Sequence, residues 1–115
     1  MALSEFELKK VEKAAQGFLA KRRPPPQIRH QVDIGYRVAG QSVEIFEIRP
    51  NWDKPAEKLE QLIAKATFVK RTEVWNVFCL RADLKWHRYE PTPQVGSPEK
   101  FFALVDEDKL ACFFG

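Results

Sequence analysis

The stretch from Ile63 to Pro91 constrains the fold more than any other part of this sequence. It is a nearly unbroken run of β-branched and aromatic residues, which suit the pleated, half-buried surface of a sheet. Basic residues are interspersed along it: Lys65, Lys70, Arg71, Arg81, Lys85, His87 and Arg88. The run predicts three strands, at about 63–70, 73–81 and 84–90, in the centre of an antiparallel sheet.

A helix is predicted at the amino terminus, where a start signal and a stop signal bracket an amphipathic segment. Ser4 as N-cap and Glu7 three residues later form a capping box, and Leu3 and Leu8 are placed as a hydrophobic staple. Apolar residues recur at helical spacing: Leu8, Val11, Ala15 and Phe18. The three prolines that begin at Pro24 end the helix, because proline lacks the amide donor.

A β-hairpin is predicted after the prolines. From Ile28 to Val38 apolar and polar residues alternate with a period of two, and Gly40-Gln41 suits a two-residue type II′ turn. This turn sets four cross-strand pairs: Val38–Val43, Arg37–Glu44, Tyr36–Ile45 and Ile34–Glu47. The register leaves Glu47 and Arg49 at the far end of the apolar face, where we expect buried charges that need partners.

Two segments have alternative interpretations. Asn51 to Leu62 has little periodicity, and it forms either a short helix that starts at Asp53 or Lys54 or a loop. Residues 110–115 form either an edge strand or a cover over the core.

A second helix is predicted from Ser97 as N-cap and Pro98 at the first helical position. Its buried face comprises Phe101, Phe102, Leu104 and Val105. The expected architecture is a single α+β domain over residues 1–115, with an antiparallel sheet of about five strands and both helices packed on one face.

Length and composition limit the function classes. A chain of 115 residues is long enough for one hydrophobic core and too short for two. No apolar run approaches the ~20 residues of a membrane span, so we expect a cytoplasmic protein and no membrane partner. Cys79 and Cys112 lie in apolar runs, where buried free thiols are common, and cytosolic chemistry disfavours a disulfide. The net charge of +3 permits an anionic partner without demanding one.

Several segments of the chain carry a family resemblance: VDIGYR, IAKATFVK, RADLKWH, LKWHRYEP and a terminal CFFG. With them the chain resembles an uncharacterised bacterial family, classed as a domain of unknown function, thirty-twenty-four in its series. The resemblance runs from about Phe18 to Gly115 and is most specific between Arg81 and Pro91. That family has no assigned activity or catalytic residues, so the resemblance implies no site.

The predicted fifth strand carries a candidate ligand-binding side. Alternation places Lys85, His87 and Tyr89 on one side of it, and Leu84 and Trp86 on the other. A lysine, an imidazole and a phenol on one face suit an anionic or polar ligand, and histidine is an acid or base near neutral pH. The alternative is a solvated face, or one covered by helix ends with each polar group hydrogen-bonded.

A wider candidate site mixes basic and aromatic residues along the strands. The residues that would neutralise phosphates are Lys65, Lys70, Arg71, Arg81, Lys85 and Arg88, and those that would stack on bases are Trp52, Trp75 and Tyr89. The basic end of the first helix, Lys21 to Arg23, would extend the patch. Against nucleic acid, 16 acidic residues nearly balance 19 basic ones.

A metal-dependent nuclease is the most specific enzyme hypothesis. Asp33 and Glu47-Ile48-Arg49 loosely match the acid, acid-x-lysine pattern of restriction-type nucleases, in which carboxylates hold a magnesium ion. Arginine replaces the lysine, and the hairpin register places Asp33 and Glu47 on opposite faces, so both features count against it. His30, His87 and the two cysteines lack the spacing of a zinc site, and no glycine-rich phosphate loop is present. We expect no metal and no cofactor.

These features favour a small non-catalytic binding module. Its polar, basic and aromatic sheet face would receive an anionic ligand, nucleic acid or a partner protein. A small-molecule enzyme that uses Lys85 and His87 is the first alternative. The second is an assembly subunit that forms a homodimer through an uncovered sheet edge.

Overall fold

The computed structural model describes residues 3–54 and 56–108, which form two helices and one antiparallel sheet. In chain order the elements are α1 (Glu5–Arg22), β1 (Asp33–Ala39), β2 (Ser42–Pro50), β3 (Lys58–Val69), β4 (Val74–Leu80), β5 (Trp86–Arg88), β6 (Gln94–Val95) and α2 (Pro98–Glu107). Strands β1 to β5 are neighbours in sequence order, and β6 pairs with β4 alongside β5. The predicted α+β class and antiparallel sheet are confirmed.

Helix α1 begins and ends where the sequence predicts. The Ser4 hydroxyl accepts a hydrogen bond from the Glu7 amide at 3.3 Å, and the Ser4 amide donates to the Glu7 carboxylate at 3.1 Å, which completes the capping box. The buried residues of the helix are Val11, Ala15 and Phe18. The helix ends just before the prolines, which cannot continue it.

The β1–β2 hairpin has the predicted turn and register. Gly40 has a φ of 61° at the first turn position, a conformation that glycine adopts without steric cost. The four predicted pairs are all present: Val38–Val43, Arg37–Glu44, Tyr36–Ile45 and Ile34–Glu47. The predicted start of the first strand at Ile28 is wrong, because Pro26–Ile28 form a 3-10 turn and pairing begins at Asp33. This turn lies where the chain reverses between the end of α1 and the sheet.

Strand β3 is longer than predicted: it begins at Lys58, so the helix alternative for residues 51–62 is wrong, and the loop alternative is wrong from Lys58 onward. Pairing with β2 continues outward as far as Pro50 and Lys58, so β2 and β3 form a long hairpin. The backbone amide of Asn51 donates to the carbonyl of Glu57 at 2.8 Å at its tip. The register shifts next to Ile45, which makes Ile63 an extra residue on β3, and this bulge allows two consecutive residues of β3 to be buried.

The edge of the sheet beyond β4 differs most from the prediction. Strand β5 is only three residues long, and Leu84 lies in the preceding turn with a φ of 62°. Strand β6 was not predicted. It forms because the Val77 amide donates to the Pro93 carbonyl at 2.9 Å, which returns the chain to β4 after the prolines. Prolines are tolerated there because an edge strand leaves half of its amides unpaired.

Both helices cover one face of the sheet. The fully buried strand residues beneath them are Val43, Ile45, Ala64, Ala66 and Val77. Helix α2 has the predicted N-cap, since the Ser97 hydroxyl accepts from the Lys100 amide at 3.3 Å. The rings of Phe18 and Phe102 lie 5.3 Å apart and join the two helices. Residues 110–115, and with them Cys112, lie outside the described residues, whereas Cys79 is a buried free thiol.

An ion pair joins the end of α1 to the start of β1. The Arg23 guanidinium donates to both carboxylate oxygens of Asp33, each at 2.9 Å, and these bonds hold the pKa of the Asp33 carboxyl below its ordinary value. A carboxyl with a depressed folded-state pKa stabilises the fold above its unfolded pKa of about 3.9. That contribution is lost as the pH falls through the folded pKa.

The wild type should lose unfolding free energy when the pH is lowered from about 6 to about 3. We expect this loss to be smaller in Asp33→Asn by about 0.2–1 kcal/mol, the range of partly exposed ion pairs. Urea unfolding at both pH values measures it. Asp53→Asn is the matched control, because Asp53 is an exposed acid in the β2–β3 loop. An equal acid-induced loss in the wild type and in Asp33→Asn would contradict the prediction.

Candidate functional site

The sheet face that the helices leave uncovered, here called the open face, carries one row of side chains across five strands. The row is set by cross-strand pairing and consists of Arg37, Glu44, Lys65, Phe78 and Arg88. Because side chains alternate along a strand, the residues next to this row point to the helices and the row itself points away from them. Trp86 and Leu80 form a neighbouring pair on the same face.

Lys65 lies at the centre of the open face, above two aromatic rings. Its Nζ is 5.1 Å from the centroid of Phe78 and 4.8 Å from the centroid of Trp86. Both distances lie within the range of a cation–π interaction. Arg88 is the cross-strand neighbour of Phe78 and is exposed. Within residues 3–54 and 56–108, neither Lys65 nor Arg88 forms an ion pair.

The β1 side of the open face has a different charge balance. A Cβ on Gly35 would lie 2.9 Å from two ring atoms of Phe46, so this ring lies directly against the backbone of β1. The Arg37 guanidinium lies 4.9 Å from the centroid of Phe46 and bonds to Glu44 at 3.2 Å and Glu60 at 3.0 Å. Two carboxylates thus neutralise one guanidinium there, and an anion would be attracted to the Lys65–Arg88 side instead.

The predicted ligand-binding side of the fifth strand is the side that faces the core. His87 is paired with the buried Cys79, and Tyr89 is only 3% exposed. Tyr89 is therefore a core residue, and Lys85, His87 and Tyr89 do not form one accessible surface. The prediction that His87 and Trp86 point to opposite sides of the strand is correct. The side that the helices leave uncovered, however, is the side that carries Trp86.

The other predicted site residues lie in three separate places. Lys70 and Arg71 lie in the β3–β4 turn, at the opposite end of the strands from Arg81 and Lys85 in the β4–β5 turn. Trp52 lies in the β2–β3 loop and is 89% exposed. Trp75 is buried, so it is not available to stack on bases. Only Lys65 and Arg88 of the predicted set share the open face, together with Phe78 and Trp86, which the sequence reasoning did not select.

The His87 side chain contacts an acidic residue of the preceding turn. Its Nε2 lies 2.8 Å from Asp83 Oδ2, and this contact lowers the pKa of the Asp83 carboxyl. The Lys85 amide donates to the other oxygen of Asp83 at 3.0 Å, so the residues are tied into one turn. In the part of the chain that the structure describes, no hydrogen bond joins His87 to its neighbour Cys79, whose thiol is enclosed.

The carboxylates of the nuclease hypothesis do not meet. Asp33 pairs with Ile48, so it points to the opposite face from Glu47, and each acid is bound to a different arginine. Arg49 Nη2 lies 2.8 Å from Glu47 Oε2; the Glu47 side chain is 14% exposed, but that of Arg49 is 58% exposed, so the expectation of a buried Arg49 is wrong. Among the described residues there is no cluster of three His, Cys, Asp or Glu side chains that could hold a metal ion.

Comparison with known proteins provides a family but no activity. Over residues 3–115 the chain matches the family described as Domain of unknown function (DUF3024). No curated protein and no solved structure gives a significant match. No helix among the described residues has the length and apolar character needed to cross a membrane. Because the match covers nearly all of its residues, the chain belongs to the DUF3024 family.

Proposed function

We propose that this protein is a non-catalytic binding module whose open face binds single-stranded nucleic acid. The observation that carries the proposal is the position of Lys65 above the rings of Phe78 and Trp86, with Arg88 beside them. Proteins that bind single strands without strong sequence preference combine cations that follow the backbone with aromatic side chains on which bases stack. The open face offers both groups on one surface.

The order of the groups in the row, with an aromatic ring between two cations, favours a strand with bases over a small anion. Lys65 is on β3 and Arg88 on β5, with β4 between them, so their backbones are roughly 10 Å apart at the usual strand spacing. Both side chains are long enough to reach one phosphate between them, and they can equally contact successive phosphates of a strand. Phe78 lies between the two cations in the same row, where a base would lie between its flanking phosphates.

Titration with a short single strand at several salt concentrations tests the proposal. Release of counterions lowers affinity with a slope of about −0.7 per neutralised phosphate, so two contacting cations predict a slope of about −1.4. Lys65→Gln should reduce the slope by about 0.7 and leave the fold intact. Lys70→Gln is the matched control, because it removes the same charge from the β3–β4 turn.

Tryptophan fluorescence is a suitable signal in a Trp52→Phe background. Trp52 is exposed and distant along the β2–β3 hairpin, whereas Trp75 is buried, so Trp86 is the reporter on the open face. Trp86→Leu should weaken binding by about 1–3 kcal/mol, the value of one base–aromatic stack, when measured by strand anisotropy. Absence of binding at low salt, or equal slope changes for Lys65→Gln and Lys70→Gln, would exclude this site.

A further inference from the structure

The outer surface of the helix pair contains a groove with an apolar floor and oppositely charged rims. Its volume is about 390 Å³, and its floor includes Ala14, Gly17 and Phe102. Lys13 and Lys21 form the α1 rim, and Glu99 and Asp106 form the α2 rim. The groove lies on the helix side of the molecule, away from the open face. Binding at this groove would therefore not compete with nucleic acid on the open face.

The two rims are matched in length and in level. Lys13 and Lys21 are eight residues apart, about 12 Å along a helix, and Glu99 and Asp106 are seven apart, about 10.5 Å. Arg22 bonds to Asp106 at 2.7 Å, which places the carboxyl ends of the two helices side by side. Lys21 therefore lies near the level of Asp106, and Lys13 near the level of Glu99.

We propose that a second copy of this chain occupies the groove in an isologous dimer. A two-fold axis parallel to the groove places α1 of each protomer over α2 of its partner. The rotation exchanges the two rims, but it does not shift any residue along the groove. The basic rim of each protomer then faces the acidic rim of the other. Such self-complementarity is the requirement of an isologous interface. Lys13 and Glu99 satisfy it, once on each side of the two-fold axis, whereas Asp106 is already paired with Arg22 of its own protomer.

Gly17 supports a close approach at this surface. It lies inside α1, where glycine is less favourable than alanine, and a Cβ at this position would meet nothing within 4 Å. The fold of the monomer therefore does not require glycine. A partner helix that packs against the groove does benefit, because the missing side chain lets the backbones approach.

The predicted dimer is weak. Helix α2 has 10 residues and is about 15 Å long, so two helix faces provide less contact than the roughly 800 Å² per partner of a standard stable interface. In the dimer the two open faces point away from each other and remain accessible. A strand long enough to reach both would bind with increased avidity.

Charge reversal at the rims provides the test, with sedimentation equilibrium as the measurement. We expect the wild type to dimerise with increasing concentration, and Lys13→Glu and Glu99→Lys each to weaken association by about tenfold or more, because each places like charges opposite each other. An equimolar mixture of the two variants should restore association, since the heterodimer again pairs opposite charges. Both residues are exposed, so neither variant should disturb the fold.

The variant Gly17→Ala tests the same interface independently of charge. It should raise the midpoint of thermal unfolding of the dilute monomer, because it removes a helix-interior glycine, and should weaken dimerisation about tenfold or more. A wild type that stays monomeric at the highest attainable concentration would overturn the proposal. So would a dimer that tolerates both single reversals, which would point to a sheet edge or another surface. If the protein did not bind nucleic acid, the expected sedimentation results would stay the same, because the groove and the open face are separate surfaces.

Discussion

Replacing Phe101 with alanine is expected to lower the free energy of unfolding by about 3–5 kcal/mol, the usual cost of removing a buried phenylalanine side chain. Phe101 is 0% exposed in the middle of α2, and its ring lies 5.3 Å from that of Phe102. Removal leaves a cavity between α2 and the sheet, because the backbone of a capped helix cannot collapse into the space.

Urea unfolding followed by circular dichroism measures this loss. Lys100→Ala is the matched control in the same helix, because its side chain is exposed and the N-cap bond uses only its backbone amide. Its effect should stay within about 0.5 kcal/mol. If Phe101→Ala cost less than ~1 kcal/mol, α2 would not be the cover over the sheet that the structure describes.

Replacing Trp75 with alanine is expected to cost a similar amount, about 3–5 kcal/mol. Trp75 is 2% exposed, and its ring centroid lies 4.9 Å from that of Phe68. Its cross-strand neighbours are Phe68 on β3 and Val95 on β6. The substitution therefore removes packing within the sheet and one of the contacts of the short edge strand β6.

Trp52→Ala is the control for this substitution, because the same side chain is removed from an exposed loop. Unfolding should be followed by far-ultraviolet circular dichroism, since both variants lose an emitting tryptophan. Amide hydrogen exchange at Val95 provides a second measurement, and it should accelerate in Trp75→Ala because Val95 loses the side chain of its cross-strand neighbour. Equal stabilities of the two variants would show that Trp75 is not a core residue.

Elements whose ends carry chemical signals could be predicted from the sequence. The capping box at Ser4 and the N-cap at Ser97 each satisfy amides of their own first helical turn, so no distant partner is needed. The Gly40-Gln41 turn determines the β1–β2 register for the same reason, because a two-residue loop leaves only one pairing.

Two of the incorrect predictions concern pairing between residues without a local signal. Lys58 belongs to β3 because Pro50 of β2 lies opposite it, and Val95 belongs to β6 because Trp75 lies opposite it. Neither segment has the alternation or the composition of a strand, so its conformation depends on a partner strand that local reasoning could not place.

The sequence by itself determined which side chains share a side of each strand, because side chains alternate in any extended chain. It placed Trp86 and His87 on opposite sides of the fifth strand and Asp33 and Glu47 on opposite faces of the sheet, as observed. Only the tertiary structure decided which side the helices cover. That choice depends on burial of the apolar faces of α1 and α2 against the whole sheet, summed over many residues. It buried Tyr89 and left Lys65 and Trp86 on the open face.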